Sequence, residues 1–192
     1  AFFAALPVDS LFINTSRGAA VDEAALLKQF ETKKISLILD VWQNEPEIDP
    51  RLLFKTEIST PHIAGYSFDG KCRGTEMIYR AACKHLKINP GWDPSAVLAD
   101  NETNSILHYS AEGLHDVEGL WALINAAYSI EADSQRLIET MSLDAGQRAL
   151  QFDLLRKQYP KRREFSFYRV SSGSISAKEI SLLSKLGFNM SL

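Results

Sequence analysis

Apolar residues in the first ninety positions come in short continuous runs rather than in alternation. Leu11-Phe12-Ile13 and Leu37-Ile38-Leu39 with Val41 are the clearest, and Glu57-Ile58-Ser59-Thr60 is a weaker third. Between the first two runs, Asp22 stands where a helix cap is expected, ahead of Ala25, Leu26, Leu27 and Phe30. Continuous apolar strands separated by a helix predict a parallel sheet covered on both faces. From Gly70 to Leu86 the spacing turns helical through Met77, Ile78, Ala81, Ala82 and Leu86. Asn89-Pro90-Gly91-Trp92-Asp93-Pro94 then supplies the turn chemistry of a boundary. Beyond it, Val117, Leu120, Trp121, Ile124, Ala127 and Tyr128 predict one face of a helix. Leu137, Ile138 and Met141 predict a short helix, and Leu150 to Tyr159 a further one. The aromatic stretch Glu164 to Val170 predicts a strand. Ser176 with Glu179 makes a capping box before Ile180, Leu183 and Leu186, and Gly187 is a natural stop. This second half reads as a small α+β sheet with helices packed on it.

Composition acts mainly by exclusion. The 192 residues make one large domain or two small ones, at ~100–200 residues per domain. Hydrophobic residues at 45% and charged residues at 23% are ordinary globular usage, which excludes disorder, collagen and coiled coil. A net charge of −3 is too balanced for a dedicated nucleic-acid binder. The charge is unevenly spread, with residues 1–90 neutral, 91–147 at −9 and 148–192 at +6. Cys72 and Cys83 have no metal-ligand spacing, and the simplest reading is a reducing cytoplasm. No apolar run approaches the ~18 residues of a membrane span, and no basic-then-apolar leader is visible. The chain opens on Ala1-Phe2-Phe3-Ala4-Ala5-Leu6-Pro7 without a Met, so a piece of a longer protein is expected.

Three patterns point to chemistry and fail on inspection. Gly65 to Cys72 nearly fits the phosphate loop, but Cys72 replaces the hydroxyl that would hold magnesium, and Ser59-Thr60-Pro61-His62 is a poor preceding strand. His108 and His115 lack a third ligand. Lys161-Arg162-Arg163 reads as a solvated run.

What remains is polar residues at the ends of the buried strands. Asn14-Thr15-Ser16-Arg17-Gly18 follows the first strand, Asp40 ends the second and Thr60-Pro61-His62 ends the third. Ligands of open α/β sheets sit outside the carboxyl ends of the strands, so these residues share a functional rim. Singly, each has a structural alternative: Arg17 could cap a carbonyl, Asp40 a turn, and His62 could be a satisfied interior histidine. A histidine that takes a proton from an alcohol works better with a carboxylate on its other nitrogen. Glu45 suits that role, with Glu47 and Asp49 as rivals. An arginine fork such as Arg17 suits the carboxylate of a 2-hydroxy acid.

Ile13-Asn14-Thr15-Ser16-Arg17-Gly18-Ala19-Ala20-Val21-Asp22, then Leu39-Asp40-Val41-Trp42 with Glu45-Pro46, then Thr60-Pro61-His62-Ile63-Ala64 resemble three closing signatures of the D-2-hydroxyacid dehydrogenases. The resemblance covers roughly residues 8–88. His62 to Lys71 with Arg73-Gly74, and Leu154 to Tyr159, Arg162 to Phe165 and Leu182 to Asn189, resemble one branch with a C-terminal dimerisation domain. The fold implied is α/β: the C-terminal part of a Rossmann-like NAD-binding domain followed by a small α+β dimerisation domain. Its divisions are residues 1–62, a return segment at 63–90 and the dimerisation domain at 91–192.

The resemblance also implies roles. Arg17 would hold the substrate carboxylate, His62 would be the acid/base and Glu45 its partner. Thr15, Ser16, Arg17, Asp40 and Gly65 would bind the cofactor, with Asp40 at the nicotinamide end, and Tyr66 would face the substrate. The implied cofactor is NAD, the substrate a phosphorylated small-molecule 2-hydroxy acid, the assembly a homodimer through residues 91–192, and the setting cytoplasmic vitamin B6 biosynthesis. In such a dimer, Arg162 or Arg163 could reach the partner's site and help hold the phosphate. A phosphoglycerate- or glyoxylate-type dehydrogenase, or a non-catalytic NAD-binding relative, is the alternative. No Gly-x-Gly-x-x-Gly occurs in the sequence, so these residues alone are expected to be an incomplete, inactive site.

Overall fold

A computed structural model describes residues 2–99, 106–109, 117–172 and 176–191. In chain order come strand β1 (Leu11–Asn14), helix α1 (Glu23–Thr32), β2 (Ser36–Leu39), β3 (Ile58–Ser59) and the long α2 (Phe68–Leu86). Then follow β4 (Ile106–Tyr109), α3 (Val117–Ala127), α4 (Ile130–Glu139), α5 (Ala145–Lys157), β5 (Arg169–Ser172), α6 (Ala177–Leu186) and β6 (Asn189–Ser191). The chain packs as two compact units, residues 1–64 with 130–160 and residues 65–129 with 161–192. The first break in the packing, after Ala64, lies close to the division expected at residue 62, and Ile130–Pro160 returns to the first sheet.

In the first unit β1, β2 and β3 form a parallel sheet in that order, with Leu11 opposite Ser36 and Ile38 opposite Ile58. On β2, Leu37 and Leu39 share one face and are buried, while Ile38 on the opposite face is half-buried, so the expected cover is complete on one face only. Asp22 caps α1 by accepting from the Ala25 N–H, and Leu26 beneath it enters the same core. Leu137 of α4 and Phe152 of α5 are buried in that core as well, against the cluster containing Trp42, Leu52 and Leu53. Each such side chain contributes about 1.5–3 kcal/mol when fully buried. This is why Ile130–Pro160 goes with the first sheet. Coverage on both faces does not extend to β1, where Leu11 and Ile13 are 57% and 53% exposed.

The second unit is built on another parallel sheet, β4-β5-β6. Its core holds Leu123 of α3, Val170 of β5, Leu183 of α6 and Phe188. The strand expected over Glu164 to Val170 starts later, at Arg169, because Phe165–Phe167 forms a 3-10 turn. That turn lets the Phe165 ring stack on Phe188 at 4.6 Å. The expected capping box at Ser176 and Glu179 is present, and Gly187 ends α6 at φ +100°, a left-handed backbone that glycine adopts without cost. Ser67 caps α2 through the Gly70 N–H, so the stretch resembling a phosphate loop is a helix start. On α2, Met77 and Ile78 face outward rather than into a core. Of the histidine pair, His115 lies outside the described residues. Among the described residues, no helix is long and apolar enough to cross a membrane.

Candidate active site

Three loops follow the carboxyl ends of β1, β2 and β3, and each is shaped by its own side chains. After β1, buried Asn14 accepts from both the N–H and the hydroxyl of Ser16 and donates to the Arg17 carbonyl at 3.2 Å. This is an Asx turn, and it presents Thr15, Ser16 and Arg17 to solvent. Arg17 donates to the Ser16 carbonyl at 2.7 Å and pairs with no carboxylate among the described residues. Gly18 then lies directly on the chain that follows β2. A Cβ there would fall 1.8 Å from the Trp42 carbonyl oxygen, so only glycine lets the Arg17 and Glu45 loops approach.

After β2, the Glu45 carboxylate reaches two partners. Oε1 accepts from the Trp42 N–H at 2.8 Å, and Oε2 lies 2.7 Å from His62 Nδ1. Buried Glu23, at the start of α1, accepts from the Gln43 N–H at 2.7 Å and fixes the same loop from below. Burial pushes the Glu23 carboxyl above its ordinary value; the Gln43 N–H opposes this, and the charges of Asp49 and Glu45 add to the rise. Of the rivals for the histidine, Asp49 instead caps the Pro50–Leu53 turn and pairs with Arg51 at 2.7 Å. Glu47 is exposed.

After β3, His62 has a left-handed backbone at φ +56°, a strained state that costs on the order of 1–3 kcal/mol outside glycine. Asp40 holds it. Its carboxylate accepts from the Thr60 hydroxyl at 2.6 Å, the Ile63 N–H at 2.8 Å and the Ala64 N–H at 3.0 Å. Its backbone carbonyl accepts from the His62 N–H at 2.7 Å. The Trp42 indole N–H donates to the Thr60 carbonyl. The buried Asp40 carboxylate, expected near the cofactor, is the acceptor that sets this turn.

The structure thus brings His62 and Glu45 together, with their side chains 27% and 18% exposed. With Nδ1 turned to the carboxylate, Nε2 is left for proton exchange with a ligand. Gly65 and Tyr66 lie in the second unit. Gly65 is exposed, and the Tyr66 ring carries the Lys71 ammonium at 3.7 Å.

The expected solvated run Lys161-Arg162-Arg163 needs correcting at Arg163. That side chain is buried, donates twice to Asp69 at 2.9 and 3.0 Å and also donates to the Leu98 carbonyl. Held this way, Arg163 is an internal tie of the second unit. The Arg162 guanidinium lies 4.5 Å over the Tyr128 ring. Sequence reasoning placed Gly18 on the rim without its packing role, and it missed Glu23, since nothing in the sequence pairs Glu23 with Gln43.

Residues 1–64 match the family model described as D-isomer specific 2-hydroxyacid dehydrogenase, NAD binding domain. Residues 102–187 match a domain of unknown function (DUF3410). With this sheet and these strand-end loops, residues 1–64 are similar to the NAD-binding domain of that family. Over nearly its whole length, the chain is similar to erythronate-4-phosphate dehydrogenases. That of Cellvibrio japonicus is 40% identical over 190 residues, covering 93% of this chain and 48% of the relative. That of Serratia proteamaculans is 40% identical over 186 residues, or 96% and 47% of the two chains. That of Marinobacter nauticus is 36% identical over 190 residues, or 98% and 49%. The chain spans about half the length of the curated relatives it matches.

Proposed function

We propose that the protein carrying this chain is an NAD-dependent dehydrogenase that oxidises the C2 hydroxyl of 4-phospho-D-erythronate to 2-oxo-3-hydroxy-4-phosphobutanoate. The observation that carries the reading is the 2.7 Å contact between His62 and Glu45 on the carboxyl rim of a parallel sheet. The named relatives supply the substrate. In this proposal His62 Nε2 takes the hydroxyl proton, and Glu45 orients the ring and stabilises the imidazolium that forms. Arg17, exposed and without a carboxylate partner among the described residues, holds the substrate carboxylate with its fork and steadies the growing carbonyl.

The exposed Thr15 and Ser16, which follow the carboxyl end of β1, fit the polar nicotinamide end of NAD. Asp40 works at that end by setting the turn that carries His62. Gly65 and Tyr66 keep the cofactor and substrate roles that the resemblance gives them. When bound, NAD supplies the acceptor for the C2 hydride. The reading further makes the protein a cytoplasmic homodimer joined through residues 91–192, acting in pyridoxal 5'-phosphate biosynthesis.

The test is to assay the full gene product with NAD against 4-phospho-D-erythronate, 3-phosphoglycerate and glycolate. NADH formation with a clear kcat/KM preference for the first supports the proposal. Preference for either of the others moves the protein to a different branch, and no turnover with any of them contradicts the reading.

A further inference from the structure

Ser59 ends β3, one of the two outer strands of the three described in its sheet. It is fully buried, and its N–H donates to the Ser134 hydroxyl of α4 at 3.1 Å, with the two hydroxyls 3.3 Å apart. A buried N–H on a sheet edge needs a partner, and a neighbouring strand is the usual one. Here a helix side chain takes that place. Ser134 is itself buried, so water cannot easily substitute for it.

The residues that follow Ser59 are Thr60, Pro61 and His62. Thr60 is tied to β2 through the Leu39 carbonyl, and buried Pro61 borders a cleft of about 170 Å³ with Asp133, Arg136 and Tyr159. Asp133, next to Ser134 on α4, accepts from Arg136 and from the Tyr159 hydroxyl, joining α4 to the segment after α5. His62 is left-handed at φ +56°, a backbone that persists only where its surroundings over-determine it. Asp40 and Glu45 hold the turn from the β2 side. Ser134 holds its approach from the opposite edge.

We infer that Ser134 is a positioning residue for His62. By the same inference Ile130–Pro160, which lies inside the domain of unknown function matched at residues 102–187, braces the strand that delivers the acid/base. The inference rests on the reading of His62 given under the proposed function. It assigns to part of that domain a role in the reaction itself, in addition to any role in assembly.

The experiment uses the full gene product, NAD and 4-phospho-D-erythronate. Ser134→Ala lowers kcat by about 10-fold to 100-fold, because small displacements of a reacting group cost that much. KM and NAD affinity stay within about twofold, since no ground-state contact is removed. In parallel, deuterium exchange measured by mass spectrometry quickens in the peptide spanning residues 58–64 and not in the peptide of β1. Gln135→Ala, on the exposed side of the same helix, changes neither readout.

Unchanged kcat and unchanged local exchange in Ser134→Ala overturn the inference, while wild-type turnover leaves the dehydrogenase reading intact. Faster exchange spread evenly over the chain also overturns it, because that is general loosening. If the wild-type protein turns over no 2-hydroxy acid but exchange still quickens only at 58–64, the brace stands and the dehydrogenase reading fails.

Discussion

Two hydrogen-bonded ionisable pairs, one in each unit, show what burial and partner chemistry decide. His62 and Glu45 meet at 2.7 Å with side chains 27% and 18% exposed. Asp69 and Arg163 meet at 2.9 Å with side chains 6% and 4% exposed. The first pair is partly exposed and joins a carboxylate to an imidazole, a ring with a second nitrogen that can face a ligand. The second is shut away, and its guanidinium serves only as a hydrogen-bond donor. For Asp69 burial is the largest influence and would raise the carboxyl. The Arg163 hydrogen bond, the Glu164 N–H and the guanidinium charge together outweigh it and hold the group below its ordinary value. Similar distances therefore serve different ends: the rim pair is suited to moving a proton and the interior pair to fixing a fold.

Breaking the interior pair has the largest expected effect on stability. Arg163→Ala leaves a buried carboxylate unpaired and destabilises the protein by about 3–5 kcal/mol, measured by urea unfolding. The pair's contribution also has a definite pH window. Because the folded value of Asp69 lies below 3.8, the stabilisation is present above 3.8 and is lost as pH falls through the lower folded value. Asp69→Asn removes that acid-side dependence; an unaltered acid-unfolding curve would contradict it.

Breaking the rim pair costs turnover and little stability. In Glu45→Gln the amide can donate to His62 Nδ1 and leave the proton on Nε2, the wrong tautomer for a base. Turnover is expected to fall on the order of 10²-fold or more while NAD binding survives. Loss of stability without loss of rate would make Glu45 a structural residue like Asp69.

The smallest effect is expected at Glu23, beneath the Glu45 loop. Glu23→Gln keeps an oxygen for the Gln43 N–H but removes a buried charge. The raised Glu23 carboxyl opposes folding as pH climbs above 4.5, so Glu23→Gln raises Tm at pH 7 and the gain disappears below pH 4.5. Equal Tm values at pH 7 would show that the charge carries no penalty.

The sequence was most legible where local rules act alone. Asp22, Ser176 with Glu179 and Gly187 mark helix ends because capping depends on neighbours in the chain, and all three work as expected. The β1 and β2 strands were readable from their apolar runs, and the strand-end motifs led to His62 and Glu45. Long-range partners were not readable. Nothing local says that Ser134 meets Ser59 across 75 positions or that Arg163 meets Asp69 across 94. The aromatic stretch at Phe165 misled because side-chain stacking on Phe188 overrides strand propensity. Met77 and Ile78 gave a helical spacing but not the direction in which that face points, which periodicity does not encode.

In the proposed reaction His62 moves the substrate proton, and calorimetry paired with steady-state turnover on one preparation of the His62→Ala gene product tests this. Native NAD affinity is expected, with turnover of 4-phospho-D-erythronate reduced roughly 10²–10⁴-fold, the usual worth of a positioned acid/base. Near-native turnover with NAD still bound would contradict it.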